Sequence, residues 1–190
     1  LEDVQVCGIL CKGTIWGGHE ASSWFSSILG VRCWLAKYSH TRKTKSASSV
    51  RRGERDDRLA YSNEASLLLV SQNSISALNA VISSQGWGKQ VVSRHFRPNI
   101  VVSSSSDTQK GTEQQRTSNP EDFWHTISIK SENNSLDLIA VGKCARCQMV
   151  DIDPESGMKG NTLRALAEYR RERGKIIFGT FFSGTSNNET

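Results

Sequence analysis

The chain has 190 residues, 24 Lys and Arg against 19 Asp and Glu, a formal net charge of +5 and a sequence pI near 9.1. That length suits one domain, or one and a half, able to bury ~70% of its unfolded surface. Hydrophobic residues are 36% and mean hydropathy is −0.45, which describes a globular chain with some loosely structured segments. The longest aliphatic run, Leu67 to Val70, is far short of the ~20 residues of a membrane helix and excludes a membrane role. An opening Leu1 in place of Met is expected of a fragment or processed product, and no basic and apolar leader follows it. Five cysteines, odd in number and sparse, fit a reducing compartment and so a cytoplasmic protein.

In chain order, Ala21, Trp24, Phe25, Ile28 and Leu29 recur at helical spacing, with Ser22, Ser23, Ser26 and Ser27 opposite and Gly30 as a stop. The pattern predicts an amphipathic helix over 20–29 packed on a core by its large residues. Val31 to Ala36 reads as a strand. Between Lys37 and Arg58 lie eight basic and three acidic residues, which account for the whole charge excess. That segment has no interleaved aromatic residues to stack bases, so it predicts a mobile solvated loop, and nucleic acid is not a partner.

Ala65 to Val70 reads as a buried strand. Ile75, Leu78, Val81 and Ile82 mark a second amphipathic helix that Ser71 or Ser74 would cap. Val91 to Val102 reads as extended. Ser103 to Asn119 is seventeen residues with no apolar side chain, which predicts an inserted mobile loop. Segments 124–130 and 135–141 alternate around Asn133-Asn134 and predict a hairpin. Gln148 to Ile152 reads as a short strand, Thr162 to Arg173 as a helix and Ile176 to Phe182 as a closing strand, with a flexible tail over 183–190. Six or seven strands and about three helices predict an α+β, mostly β, barrel-like domain.

Two constellations carry chemistry. Lys143-Cys144-Ala145-Arg146-Cys147 is a Cys-x-x-Cys pair beside two cations, a setting that favours the thiolate, the species that binds soft metals or attacks sulfur. Its spacing alone leaves alternatives open: a zinc site completed by Cys7 and Cys11, a redox pair, or two structural cysteines. In Phe96-Arg97-Pro98-Asn99, Pro98 predicts an extended Arg97, so that the Arg97 fork and the Asn99 amide aim at one target. The alternative is a strand bulge. Glu64 and the Asp151, Asp153 pair are weaker candidates, the latter reading as a turn before Pro154, and the four histidines show no ligand spacing.

Taken together, several segments resemble the MOSC domain, the C-terminal module of molybdenum cofactor sulfurases. They are Tyr61-Ser-Asn-Glu-Ala65, Phe96-Arg-Pro-Asn-Ile-Val-Val102, Glu121-Asp-Phe-Trp124, Cys144-Ala-Arg-Cys-Gln-Met149, Asp153-Pro-Glu-Ser-Gly157 and Leu163 to Arg171 followed by Gly174 to Gly179. The resemblance implies a barrel-like MOSC domain over 1–182, with mobile loops at about 37–58 and 103–119, that binds the pterin-based molybdenum cofactor. It implies Cys147 as the catalytic cysteine and molybdenum ligand, and Arg97, Asn99, Ser71, Ala145, Cys144 and Arg146 as cofactor-binding positions. In such sulfurases an N-terminal, cysteine-desulfurase-like domain with pyridoxal phosphate takes sulfur from cysteine as a persulfide. The sulfur passes to molybdenum, which activates xanthine dehydrogenase- and aldehyde oxidase-type recipients. This chain holds no such domain, so the resemblance implies part of a sulfurtransferase. Two further readings stay open: a molybdenum-dependent reductase of N-hydroxylated compounds, and a non-enzymatic zinc- or nucleic-acid-binding domain.

Overall fold

A computed structural model describes residues 2–6, 9–38, 42–43, 58–59, 65–103 and 118–184. Most of the basic segment 37–58 and of the polar segment 103–119, together with Cys7 and Glu64, lies outside the described residues. The chain divides into two compact units, one of Leu1–Lys45 with Asp57–Ser66, the other of Ser46–Asp56 with Leu67–Thr190. No helix among the described residues is long and apolar enough to cross a membrane.

In the first unit, β1 (Glu2–Val6) and β2 (Ile9–Ile15) form an antiparallel hairpin, and β3 (Ala36–Tyr38) pairs with the far end of β2. The expected strand over 31–36 thus begins only at Ala36. Two short strands, β4 (Arg42–Lys43) and β5 (Arg58–Leu59), pair with each other. Helix α1 (Gly18–Leu29) lies where its periodicity puts it and ends at Gly30 (φ 68°), whose N–H donates to the Ser26 carbonyl at 3.0 Å.

The predicted packing face of α1 is overturned. Trp24, Ile28 and Leu29 are 58, 61 and 60% exposed, and the buried residue is Ser22. The reason lies in the serine hydroxyls. Ser22 Oγ donates to the Gly18 carbonyl (3.0 Å) and Ser26 Oγ to the Ser22 carbonyl (2.6 Å), while Ser26 Oγ also accepts the Cys33 N–H at 3.0 Å. Hydroxyls satisfied on the preceding turn do not need water, so the small-residue face can turn inward.

The second unit is built on a curled, half-barrel sheet in the order β7-β6-β11-β9-β8. Strand β6 (Leu67–Ser71) runs parallel to β7 (Ile100–Val102) and antiparallel to β11 (Lys175–Gly184). Strands β8 (Thr126–Lys130) and β9 (Ser135–Ala145) form the predicted hairpin, with Lys130 opposite Ser135, and β10 (Arg171–Glu172) pairs with the start of β11. The architecture is α+β, mostly β, with three α-helices among the described residues.

Successive residues of β6 point to opposite faces, and both faces are covered. Val70 joins Ile75, Leu78, Ile82, Phe96, Val150, Leu166 and Phe178 on one side. Leu69 joins Leu138 and Phe182 on the other. A strand buried on both faces must read as a continuous apolar run, as Leu67 to Val70 does. Helix α2 (Gln72–Ser84) buries Ile75, Leu78 and Ile82, and α3 (Thr162–Tyr169) buries Ala165 and Leu166.

Two extended predictions are corrected. Within 91–102, Ser93–Phe96 is a 3-10 helix and only Ile100–Val102 is strand; Gln148–Asp151 is also a 3-10 helix. Single turns of this kind are closed by i to i+3 bonds and leave no period in the sequence. Strand β11 also runs on through the buried Ser183, past the predicted start of the tail.

Candidate functional site

The site begins with a glycine. Gly179 lies in β11 at φ +78°, within the irregularity of the β9–β11 ladder between Ile177 and Thr180. A Cβ there would stand 2.8 Å from Val70 Cγ2, 2.9 Å from the Leu69 carbonyl and 3.3 Å from Arg146 Nη2. Glycine is required by conformation and by space, and the space it leaves is filled by a guanidinium.

That guanidinium belongs to Arg146, which follows the last residue of β9. Its backbone N–H donates to the Ile176 carbonyl at 2.8 Å, extending the ladder. Its side chain turns inward: Nε donates to the Phe178 carbonyl at 2.8 Å and Nη1 to the Phe96 carbonyl at 3.1 Å. The charge stands 5.5 Å from the centroid of the Phe96 ring, itself 4.2 Å from that of Phe178. Nη2 is buried and has no hydrogen-bond partner among the described residues. Burial pulls the Arg146 pKa below its ordinary value, opposed by the nearby Cys144 and Cys147 sulfurs.

Through this one side chain, residues about 50 apart in sequence are joined. The Phe96 carbonyl immediately precedes Arg97, and Arg146 immediately precedes Cys147. Arg97 is exposed, makes no ion pair among the described residues, and adopts φ 52°, ψ 48°. This corrects the extended conformation predicted from Pro98. Pro98 disfavours the right-handed helical region for its neighbour, but the left-handed one stays open, and Arg97 there closes the 3-10 helix through its N–H to the Arg94 carbonyl (3.2 Å). A non-glycine residue in that region is held there by its surroundings at a cost of about 1 kcal/mol or more.

Asn99 is exposed, but its Oδ1 accepts the Leu68 N–H at 2.8 Å while its own N–H donates to the Leu68 carbonyl at 2.9 Å. It therefore docks the turn onto β6, leaving its Nδ2 group as the end able to meet a ligand. The two cysteines of the pair differ: Cys144 is buried, whereas Cys147 is exposed at the head of the 3-10 helix Gln148–Asp151 and carries a free thiol. No α-helix starts at the pair, as a thioredoxin-like motif would need. Ala145, also exposed, sits in register opposite Ile177. No group of three His, Cys, Asp or Glu among the described residues is arranged to hold a metal ion.

Lys143 does not face the thiols' chemistry unpaired, as the sequence suggests. Its Nζ is 2.7 Å from Glu172, whose carboxyl it holds below the ordinary range, and 3.7 Å from Asp122. Asp122 in turn forms a two-pronged pair with Arg170 at 2.7 and 2.9 Å. Ser71 is likewise committed inside the fold. It is buried, caps α2 by accepting the Ser74 N–H at 3.1 Å, and donates its own N–H to Glu121 at 3.3 Å.

Glu121 is the residue whose importance the sequence does not announce. Its carboxylate is fully buried, accepts Ser74 Oγ at 2.6 and 2.7 Å, and lies at the N-terminus of α2, where negative charge is favoured. Its carbonyl accepts Thr180 Oγ1 at 2.9 Å, next to Gly179. Only a Glu-Asp pair directly after Pro120 hints at an anchored turn. Gly179 was more legible, as a glycine inside a strand of large apolar residues.

A cavity of about 500 Å³ is lined by His95 of the 3-10 helix Ser93–Phe96, Asp151 of the 3-10 helix Gln148–Asp151, and Trp87, Lys89, Asp153 and Met158. It holds the weaker candidates Asp151 and Asp153 but none of the residues that the resemblance implies for the cofactor. Its carboxylates serve the fold: Asp151 accepts the Leu163 N–H at 2.6 Å. Asp153 makes the turn expected before Pro154, accepting the Glu155 N–H (2.8 Å) and Lys89 Nζ (3.0 Å), which lower its pKa to about 2.

A family model described as the MOSC domain matches residues 56–189. Among curated proteins, the chain is 33% identical over 185 residues to molybdenum cofactor sulfurase of Solanum lycopersicum, covering 90% of this chain and 21% of that protein. It is 35% identical over 174 residues to the molybdenum cofactor sulfurase of Oryza sativa subsp. japonica (84% and 19%). With that of Aspergillus oryzae it shares 29% over 201 residues (92% and 24%). The chain thus spans about a fifth to a quarter of the length of these relatives. The matched segment includes the Arg97 turn, Arg146, Cys147 and Gly179, and the chain belongs to the MOSC domain family.

Proposed function

We propose that this chain is the molybdenum-cofactor-binding part of a molybdenum cofactor sulfurase, holding the cofactor while a persulfide sulfur is transferred to its metal. The observation that carries the reading is the exposed Cys147 thiol tied, through Arg146, to the turn that presents Arg97. A thiolate is the protein ligand suited to a soft, sulfur-rich metal centre, and an unpaired arginine fork suits an anionic or carbonyl-bearing pterin. Arg146 stands beside the same turns and bonds main-chain carbonyls of β11 and of the residue before Arg97. When bound, the cofactor supplies the molybdenum that accepts sulfur.

Cys147 would hold the metal, with Arg97 and the Asn99 Nδ2 group on the organic part. Ser71 and Ala145 would act through the backbone they position, and Cys144 from beneath the surface. The persulfide would come from a pyridoxal-phosphate, desulfurase-like domain of the same protein, and the recipients would be xanthine dehydrogenase- and aldehyde oxidase-type enzymes, in the cytoplasm. In the full-length protein, Cys147→Ala is expected to abolish cofactor sulfuration, read as recovery of recipient-enzyme activity. Unchanged sulfuration by that variant would sink the assignment.

A further inference from the structure

We propose that Arg146 is a positioning residue, whose bonds to the Phe178 and Phe96 carbonyls lock the Arg97 turn to the Cys147 turn so that one ligand meets both. The proposal rests on the function proposed above and replaces a direct cofactor contact by Arg146, the role its position in the motif implies. Two of its three nitrogens are spent on main-chain carbonyls of two different elements, one in β11 and one at the end of the 3-10 helix Ser93–Phe96. Glycine at residue 179 leaves this group room, since a Cβ there would stand 3.3 Å from Nη2.

The alternative is a half-buried arginine that merely fills space, and the geometry argues against it. A space-filling side chain would be apolar, since a buried donor left unpaired is costly, and Arg146 carries one in Nη2. What the guanidinium does that no apolar residue can is reach two carbonyls with separate nitrogens of one rigid plane. One of those carbonyls belongs to the residue before Arg97, which is held in the left-handed conformation. Without that bond the turn keeps its docking to Leu68 through Asn99, but it is no longer tied to the residue before Cys147.

The test uses the exposed Cys147 thiol and needs no cofactor. In the purified chain, the rate of Cys147 modification is measured at low salt with a dianionic aromatic disulfide (dithiobis-nitrobenzoate) and a neutral one (dithiodipyridine), by mass spectrometry of the Cys147 peptide. If Arg97 is held where a ligand of Cys147 meets it, the dianionic reagent should be favoured several-fold over its ratio with free cysteine, and Arg97→Ala should lower that preference several-fold. Arg146→Met should lower the ratio as far, although Arg97 is still present.

Arg146→Lys keeps a charge near the sulfurs and should fold where the methionine variant does not. It should also lose the preference, because one ammonium cannot replace the two-nitrogen fork, and Arg97→Ala combined with Arg146→Lys should fall no lower than either alone. A full ratio in Arg146→Lys, or a further drop in the double variant, overturns the positioning role and leaves the Arg97–Cys147 site standing. If instead Arg97→Ala leaves the ratio unchanged, the shared site itself fails, and the positioning role with it.

Discussion

Helices α1 and α2 carry almost the same apolar periodicity and do opposite things with it. In α2, Ile75, Leu78 and Ile82 are 1, 0 and 2% exposed. In α1, Trp24 and Ile28 face out and Ser22 faces in. The difference teaches that a helical pattern reports only that one face is apolar. Whether the chain covers that face depends on whether another apolar layer is within reach. Around α2 that layer is the sheet face of Val70 and Phe178, with α3 beside it. The start of α2 is also fixed by a serine side chain, whereas α1 begins after Gly17 with no side-chain cap.

The comparison can be broken by substitution. Leu78→Ala should lower the stability of the second unit by about 2–5 kcal/mol in chemical denaturation, because it leaves a cavity at a site with no exposure. Ser71→Ala should cost about 1 kcal/mol from the lost cap, read in the same way. Asp153, whose folded pKa lies at about 2 against an ordinary 3.8, contributes stability that is fully present above about pH 4 and is lost as pH falls toward 2. Asp153→Asn should therefore show a smaller loss of melting temperature between pH 5 and pH 2. Trp24→Ala should change stability by less than about 0.5 kcal/mol. A loss as large as that of Leu78→Ala would mean that α1 is covered after all.

What was legible in the sequence was local. Ser71 as a cap, the hairpin around Asn133-Asn134 and the buried run at Leu67 each follow from residues a few positions apart, and the structure has all three. Two of the 3-10 helices, Ser93–Phe96 and Gln148–Asp151, read as extended in the sequence, because four residues are too few to display a period and both carry apolar residues such as Phe96 and Val150. The site was legible as residue types but not as directions. That Arg146 points in, that Lys143 is spent on Glu172, and that Glu121 binds Ser71 and Ser74 are facts about partners 29 to 50 positions away. Apolar and charge patterns carry no information on that scale.

Ser71 has one more consequence. It is paired with Val102 across the parallel ladder, and its N–H is bound by Glu121, so the chain on either side of the polar segment 103–119 is fastened to a single residue. The ends of the segment are therefore fixed in space whatever its length. The closure penalty of such a connection grows by only about 0.6 kcal/mol for each doubling of its length. This makes it a natural port for engineering: a tag, a reporter or a whole guest domain spliced in there would be borne by the Ser71–Glu121 clasp and not by the sheet.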